Sequence, residues 1–182
     1  MHSINIKTNN LILRDLRDDD LEGMFEMDSN PLVHKYLGKK PLKSISESKK
    51  QIESIQEQYK KYGIGRWAVL LKSTNKFIGW SGLKFNTDIT LNHHTHFYDI
   101  GYRFIPRYWG NGFATESASA ALNFGFKELN IKTIYGIAEC NNKASNKVLT
   151  KLGLRFINQF LIDSIAANWY ELNNKDYETT MP

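Results

Sequence analysis

The run Ile105-Pro106-Arg107-Tyr108-Trp109-Gly110-Asn111-Gly112-Phe113-Ala114-Thr115-Glu116 decides the fold, because a strand pattern ends where it starts and a helix pattern begins inside it. The preceding residues 98–104 alternate polar and apolar side chains and include several aromatics, which predicts a strand. Pro106 lacks an amide donor and ends that strand. After Gly112, apolar and small residues recur at helical spacing, which predicts a helix lying close to a sheet.

Two glycines at the start of the predicted helix favour an anion site. Gly110 and Gly112 have no Cβ, so they adopt positive φ easily and let the backbone approach a ligand. The free amides of a helix start attract an anion, and Arg107 adds a positive charge. A turn that merely needs flexible glycines has the same pattern, so both interpretations stay open for the pair alone. The third glycine of a dinucleotide fingerprint and the Gly-Lys-Ser/Thr of a P-loop are both absent.

The same run carries a family resemblance. Arg107-x-x-Gly110-x-Gly112 is similar to the acetyl-CoA motif of the GCN5-related N-acetyltransferases, Arg/Gln-x-x-Gly-x-Gly/Ala. The longer string from 108 to 116 resembles the branch that acetylates the N-terminal amines of ribosomal proteins.

A second segment extends this resemblance. Asn142-x-x-Ser145, followed by Lys151-x-Gly153-Leu154, is similar to the later half of the family pattern, with leucine in place of the usual phenylalanine. The resemblance then covers nearly the full length of the chain.

The whole chain indicates one ordered domain, residues 1–182. Its length suits a two- or three-layer core, and 41% of its residues are hydrophobic. The fold class is α/β: a mixed central sheet of about six or seven strands, flanked by about four helices. The strands near 97–105 and 132–139 are parallel because a helix connects them, and a ligand belongs at their C-terminal ends.

Charge and cysteine content limit the partners and the compartment. A net charge of +5 favours anionic ligands, but the lysines are scattered over predicted helices and turns, so no direct nucleic-acid readout is expected. No apolar segment is long enough for a signal peptide or a membrane span. The one cysteine, Cys140, fits a reducing compartment, and the prediction is a cytoplasmic protein. A monomer and a homodimer are equally compatible with the sequence.

The resemblance implies acetyl-CoA as the cofactor. Backbone groups of Phe104 and Ile105 would pair with the pantetheine arm, and Arg107 would add charge near the pyrophosphate. Asn142 would contact the cofactor near its thioester, and Ser145 would lie beside the leaving sulfur. The amides expected to hold the pyrophosphate belong to Tyr108, Trp109, Gly110, Asn111, Gly112, Phe113, Ala114 and Thr115.

Acetyl transfer to an amine by direct attack through a tetrahedral intermediate sets three tasks. The amine must lose a proton, an oxyanion must be stabilised, and a thiolate must be protonated. Ser145 is the candidate for the last task, and a backbone amide near 102–104 for the second. Asp99 and Glu139, at the ends of the strands beside the cleft, are both candidates for the base, and both are also typical of surface carboxylates.

The acceptor is the least specified part of the prediction. The family branch favours the N-terminal amine of a protein, ribosomal proteins included, while polyamines, aminoglycosides and a non-catalytic acyl-CoA-binding module stay open. His34 and Tyr36, in the connection between two helices, and His96, in a polar loop, are the candidate acceptor contacts. No metal is expected, because the neighbouring imidazoles of that loop point in opposite directions.

Overall fold

The computed structural model describes residues 4–180, which form eight strands and five α-helices. The strands are β1 (Asn5–Lys7), β2 (Leu11–Arg14), β3 (Arg66–Leu71), β4 (Lys76–Asn86), β5 (Phe97–Phe104), β6 (Thr133–Glu139), β7 (Arg155–Ile162) and β8 (Ile165–Asn173). The helices are α1 (Leu21–Asp28), α2 (Ile45–Tyr62), α3 (Phe113–Lys127), α4 (Lys143–Lys151) and α5 (Asn174–Thr180). Short 3-10 turns cover Asp18–Asp20, Val33–Tyr36 and Pro106–Tyr108.

All eight strands belong to one mixed sheet, in the order β1-β2-β3-β4-β5-β6-β8-β7. Neighbours pair antiparallel except β5 and β6, which are parallel because α3 carries the chain back between them. The predicted α/β class is confirmed. The predicted numbers were slightly low, since three-residue β1 and seven-residue α5 are too short to show a period.

Helices cover both faces of the sheet. On one face, α3 and α4 pack against apolar side chains of β2 to β8, including Trp67, Leu83, Ile100 and Ile134. On the other face, α1 and α2 cover Ala68 and neighbouring residues of β3 and β4. We name these the α3/α4 face and the α1/α2 face. None of the helices within residues 4–180 is long and apolar enough to cross a bilayer.

The start of α3 is fixed to the far edge of the sheet by one carboxylate. Glu116 accepts hydrogen bonds from the hydroxyl of Thr8 (2.6 Å) and from the amide of Asn10 (2.7 Å). Burial raises the pKa of Glu116, but these hydrogen bonds outweigh that effect and leave the pKa below its ordinary value. The turn between β1 and β2 thereby holds the helix start in place.

Candidate active site

The two parallel strands separate at their C-terminal ends. β5 and β6 pair from Tyr98 opposite Ile134 to Ile100 opposite Gly136, and no further. Both strands nevertheless continue, β5 to Phe104 and β6 to Glu139. A gap in the middle of the sheet therefore opens where the sequence predicted a ligand site.

The start of α3 presents a row of free amides beside this gap. Within residues 4–180, the amides of 110–115 donate to no protein acceptor, and the N-cap residue Gly112 offers no side-chain cap. Gly110 and Gly112 have φ of 79° and 80°, and a Cβ on either would meet nothing within 4 Å. Unpaired amides at an open helix N-terminus fit the pyrophosphate of a CoA nucleotide. We name residues 110–115 the amide cradle.

The side chains of Asn111 and Arg107 make contacts with the protein beside the cradle. The side-chain amide of Asn111 (Nδ2) donates to the carbonyls of Tyr108 and Trp109, both at 3.1 Å. The guanidinium of Arg107 forms a two-point ion pair with Glu26 of α1, and its expected contribution near the pyrophosphate stays a prediction. That pairing raises the pKa of Arg107, and it leaves the backbone of the cradle as the main source of positive potential.

The end of β5 offers one free backbone donor to the gap. Phe104 opposes Gly79, and the amide of Ile105 donates to Ile78 (3.0 Å), so Phe104 points its own amide toward the gap. Its carbonyl already accepts from the indole of Trp109 at 2.7 Å. The carbonyl of Ile105 likewise accepts a bond, from the amide of Tyr108, and pairing of Ile105 with the pantetheine arm stays a prediction.

The start of α4 lies on the same side of the gap as the cradle. Asn142 caps the helix by accepting from the amide of Ser145 at 3.1 Å. Asn146 fixes this turn to the neighbouring strands, since its amide donates to the carbonyl of Glu139 and its oxygen accepts from Asn168 and Tyr170. The segment that holds Ser145 is therefore rigidly placed at the tip of β6.

Tyr102 reaches across the gap to Ser145. The Tyr102 hydroxyl lies 3.0 Å from Ser145 Oγ and 3.1 Å from the Ser145 carbonyl. Burial raises the pKa of Tyr102 to about 12. Sequence reasoning did not select this tyrosine as a site residue, although its place in Gly101-Tyr102, next to the predicted end of the strand, was a usable signal.

The two candidate carboxylates occupy different positions. Asp99 is the third residue of β5, so the expectation that it ends the strand was wrong. Its oxygens accept from Arg66 (2.5 Å) and Asn86 (2.7 Å). The Arg66 guanidinium lies directly over Gly101, where a Cβ would come within 2.7 Å of it.

Glu139 does end its strand, as the sequence predicted. Ala138 points into the core of the α3/α4 face, so alternation places Glu139 on the α1/α2 face. Its carboxylate makes no hydrogen bond or ion pair with the described residues. Of the two carboxylates, Glu139 is the one that lies at the end of its strand, beside the gap.

The structure places His34 and Tyr36 in the connection between α1 and α2, and His96 in the loop before β5, as the sequence indicated; their contact with an acceptor stays a prediction. His34 is in the Val33–Tyr36 turn with 6% exposure, 3.7 Å from Asp28, and burial together with Arg103 lowers its pKa. The imidazole is therefore almost fully covered by protein. Tyr36, in the same turn, is half-buried.

His96 precedes the first residue of β5, whereas the gap opens at the other end of that strand. A strand of eight residues spans about 26 Å. No group of three or more His, Cys, Asp or Glu side chains within residues 4–180 is arranged to hold a metal ion.

Parallel strands that separate beside a free helix N-terminus form, in an α/β fold, a site suited to the phosphates of a nucleotide cofactor. Residues 10–155 match the model of a known family, described as acetyltransferase (GNAT) domain. The chain belongs to this family, and it is an N-acetyltransferase that takes the acetyl group from acetyl-CoA and passes it to an amine.

Relatives and solved structures agree with this assignment. The uncharacterized N-acetyltransferase YoaA of Bacillus subtilis is 31% identical over 97% of this chain and 93% of its own. The ribosomal-protein-S5-alanine acetyltransferase of Vibrio fischeri shares the fold with a TM-score of 0.75 at 18% identity, over 96% of this chain and 98% of its own. The spermidine N-acetyltransferase of Vibrio cholerae, solved with CoA and spermine, also has a TM-score of 0.75, at 20% identity over 94% and 99%.

Proposed function

We propose that this enzyme acetylates the N-terminal α-amine of a protein, with ribosomal proteins as candidate acceptors. The acceptor approaches over the α1/α2 face, because α3, α4 and the cradle fill the other side of the gap. The observation that carries the proposal is the charge balance on this face: one carboxylate beside the gap, Glu139, is unpaired among the described residues.

The other charges near the gap neutralise one another. Arg66 is paired with Asp99 (2.5 Å), and Arg103 is paired with the buried Asp28 (2.6 Å). Both guanidiniums also lie near the indole of Trp80, with their carbons 5.5 Å and 5.0 Å from the ring centre. A polyamine carries several positive charges and needs several free carboxylates, whereas a peptide N-terminus carries one.

An N-terminal amine is also chemically suited to a single carboxylate base. Its pKa is about 8, so the cost of deprotonation near neutral pH is small compared with that of a lysine or polyamine nitrogen. We assign Glu139 as the base, acting directly or through water. Asp99 is the less suitable group because Arg66 and Asn86 occupy its oxygens.

The remaining roles follow from the positions around the gap. When bound, acetyl-CoA supplies an activated acetyl thioester. The amide cradle holds its pyrophosphate, the free amide of Phe104 donates to the oxygen that becomes negative, and the hydroxyl of Ser145 donates to the leaving sulfur. Residues 1–182 are proposed to act as one cytoplasmic domain, in keeping with a single cysteine and no disulfide.

The acceptor class is tested by comparing amines under one assay of CoA release. The set contains peptides with free N-termini, the same peptides with blocked N-termini and an internal lysine, spermidine, and an aminoglycoside. We expect free N-termini to give a kcat/KM at least about tenfold above that of every other amine, equivalent to about 1.4 kcal/mol in the transition state. A preference for spermidine would overturn the proposal in favour of a polyamine acetyltransferase.

The role of Glu139 is tested on the best amine of that set. Glu139→Gln should lower kcat about 10²-fold while leaving acetyl-CoA affinity unchanged, because it removes a base and not a cofactor contact. Glu171→Gln, on the same face of neighbouring β8, is the matched control and should retain full turnover. Equal activity of the two variants would remove Glu139 from the mechanism.

A further inference from the structure

The hydroxyls of Tyr102 and Ser145 can form hydrogen bonds in two different arrangements. The Tyr102 hydroxyl carries one proton and has two acceptors within reach, Ser145 Oγ at 3.0 Å and the Ser145 carbonyl at 3.1 Å. A carbonyl only accepts, whereas a serine hydroxyl both donates and accepts. Two hydrogen-bond arrangements are therefore available to the same atoms.

The two arrangements differ in where the serine proton points. When Tyr102 donates to the carbonyl, its oxygen is free to accept from Ser145, and the serine proton points at Tyr102. When Tyr102 donates to Ser145 Oγ, the serine proton is free to point elsewhere. Only the second arrangement lets Ser145 donate to a sulfur in the gap.

We propose that Tyr102 is a positioning residue that turns the Ser145 proton toward the leaving sulfur. This inference rests on the proposed role of Ser145. As negative charge develops on sulfur, Ser145 donates to it, and Tyr102 rotates its own proton from the carbonyl to Ser145 Oγ. Linked hydrogen bonds of this kind polarise one another and hold charge better than one bond does.

The surroundings of Tyr102 and Ser145 hold both backbones in place, so that rotation of the hydroxyl protons is the change that remains. Asn142 fixes the backbone amide of Ser145, and Asn146 fixes the same turn to β6 and β8. Tyr102 belongs to β5, where pairing with Ser81 of β4 holds its backbone. Because burial raises its pKa to about 12, Tyr102 keeps its proton at physiological pH and remains a donor.

The proton balance of the reaction is unchanged by this switch. The new bond joins the amine nitrogen to the acetyl carbon, and the bond between that carbon and sulfur breaks with its electron pair on sulfur. Glu139 takes the proton that the amine loses and releases it to solvent, while sulfur takes a proton from Ser145, which regains one from solvent. Tyr102 and Ser145 end the cycle protonated, as they began it.

The test compares Tyr102→Phe and Ser145→Ala, singly and combined, by CoA release with whichever amine the enzyme accepts best. Tyr102→Phe should lower kcat about tenfold with the KM for acetyl-CoA within about twofold, since one hydrogen bond to a charge-bearing group is lost. In the Ser145→Ala background it should have no further effect, because Tyr102 acts through Ser145. Tyr98→Phe, on the same strand and face, is the control and should retain full turnover.

Three results would overturn the proposal: unchanged kcat in Tyr102→Phe, the same loss in both backgrounds, or full turnover in Ser145→Ala. The first two would leave Ser145 in place and remove Tyr102. The third would remove Ser145 itself. Because the best amine is used whatever its class, none of these results depends on the acceptor being a protein N-terminus. Thermal melting of each variant separates loss of turnover from loss of fold.

Discussion

Gly112 has a left-handed backbone conformation that favours glycine, and the space that a side chain would occupy there is open. Its φ of 80° is strained for an L side chain, and the volume that a Cβ would enter is free of protein atoms. Because the amides of the cradle face that volume, the glycine is expected to leave room for the cofactor rather than only to permit a turn.

Gly112→Trp should therefore abolish acetyl-CoA binding, raising Kd by at least about 10²-fold in calorimetry, which is about 2.7 kcal/mol. Gly63 offers a matched control, because it has φ of 69°, open space around its Cβ, and a place at the end of α2. Gly63→Trp carries the same backbone strain and should bind acetyl-CoA normally. If both variants bind like the unaltered chain, residues 110–115 do not hold the cofactor.

At the scale of single residues, the sequence predicted best where the backbone itself was constrained. Gly110, Gly112 and Asn142 were selected because positive φ and helix capping leave a residue-type signature. The burial of His34 was not predicted, because the side chain packs beside Asp28, which pairs with Arg103, and these residues meet only in the folded chain. Tyr102 was missed for the same reason, since its partner lies 43 residues away.

Among the elements, the start of α3 depends on a carboxylate that is far from it in sequence. Glu116 joins α3 to the β1–β2 turn through Thr8 and Asn10, and its folded-state pKa is lowered. A lowered pKa stabilises the fold at pH values above the ordinary pKa of about 4.3, and this contribution is lost as the pH falls through the folded-state pKa.

Glu116→Gln should lower the free energy of unfolding by about 1–2 kcal/mol at pH 7, because bonds to a charged acceptor are lost on a partly exposed residue. The difference from the unaltered chain should shrink in urea titrations as the pH is taken below about 4. Glu128→Gln, at the exposed end of the same helix, should show no such difference at either pH. A constant difference across the pH range would mean that the carboxylate charge is not involved.

Long elements were predicted from their periods, and short ones were not. The helix patterns of α2, α3 and α4 have apolar stripes, and each has a glycine at one end: Gly63 after α2, Gly112 before α3 and Gly153 after α4. Three-residue β1 carries no readable alternation, and its existence depends on pairing with β2.

For the molecule as a whole, the decisive feature is that two parallel strands stop pairing before they end. The order of elements predicts that β5 and β6 are parallel neighbours, but nothing in either segment shows where their ladder stops. The neutralised charges of the α1/α2 face are equally hidden, because each ion pair joins two elements that are distant in sequence: Arg66 of β3 with Asp99 of β5, and Arg103 of β5 with Asp28 of α1. The sequence therefore predicts where the cofactor belongs and leaves the acceptor side undetermined.

If the cofactor occupies the gap, we expect hydrogen–deuterium exchange of one backbone amide to change. With saturating acetyl-CoA, the amide of Phe104 should exchange with deuterium more slowly, because it gains an acceptor in the gap. The amide of Ile105, which already donates to Ile78, should be protected equally with and without the cofactor. Amide-resolved exchange by NMR or mass spectrometry measures both in one sample. Unchanged exchange at Phe104 would show that the cofactor does not use this edge.

The contact between Gly101 and Arg66 limits which substitutions this chain tolerates at these positions. Arg66 occupies the space that a Cβ of Gly101 would fill, and it donates to Asp99 and to the carbonyls of Gly82 and Asp99. A larger residue at 101 is compatible with the fold only if position 66 becomes smaller, and Asp99 then loses its countercharge. The three positions are expected to vary together, as one inherited unit, along any lineage of functional variants.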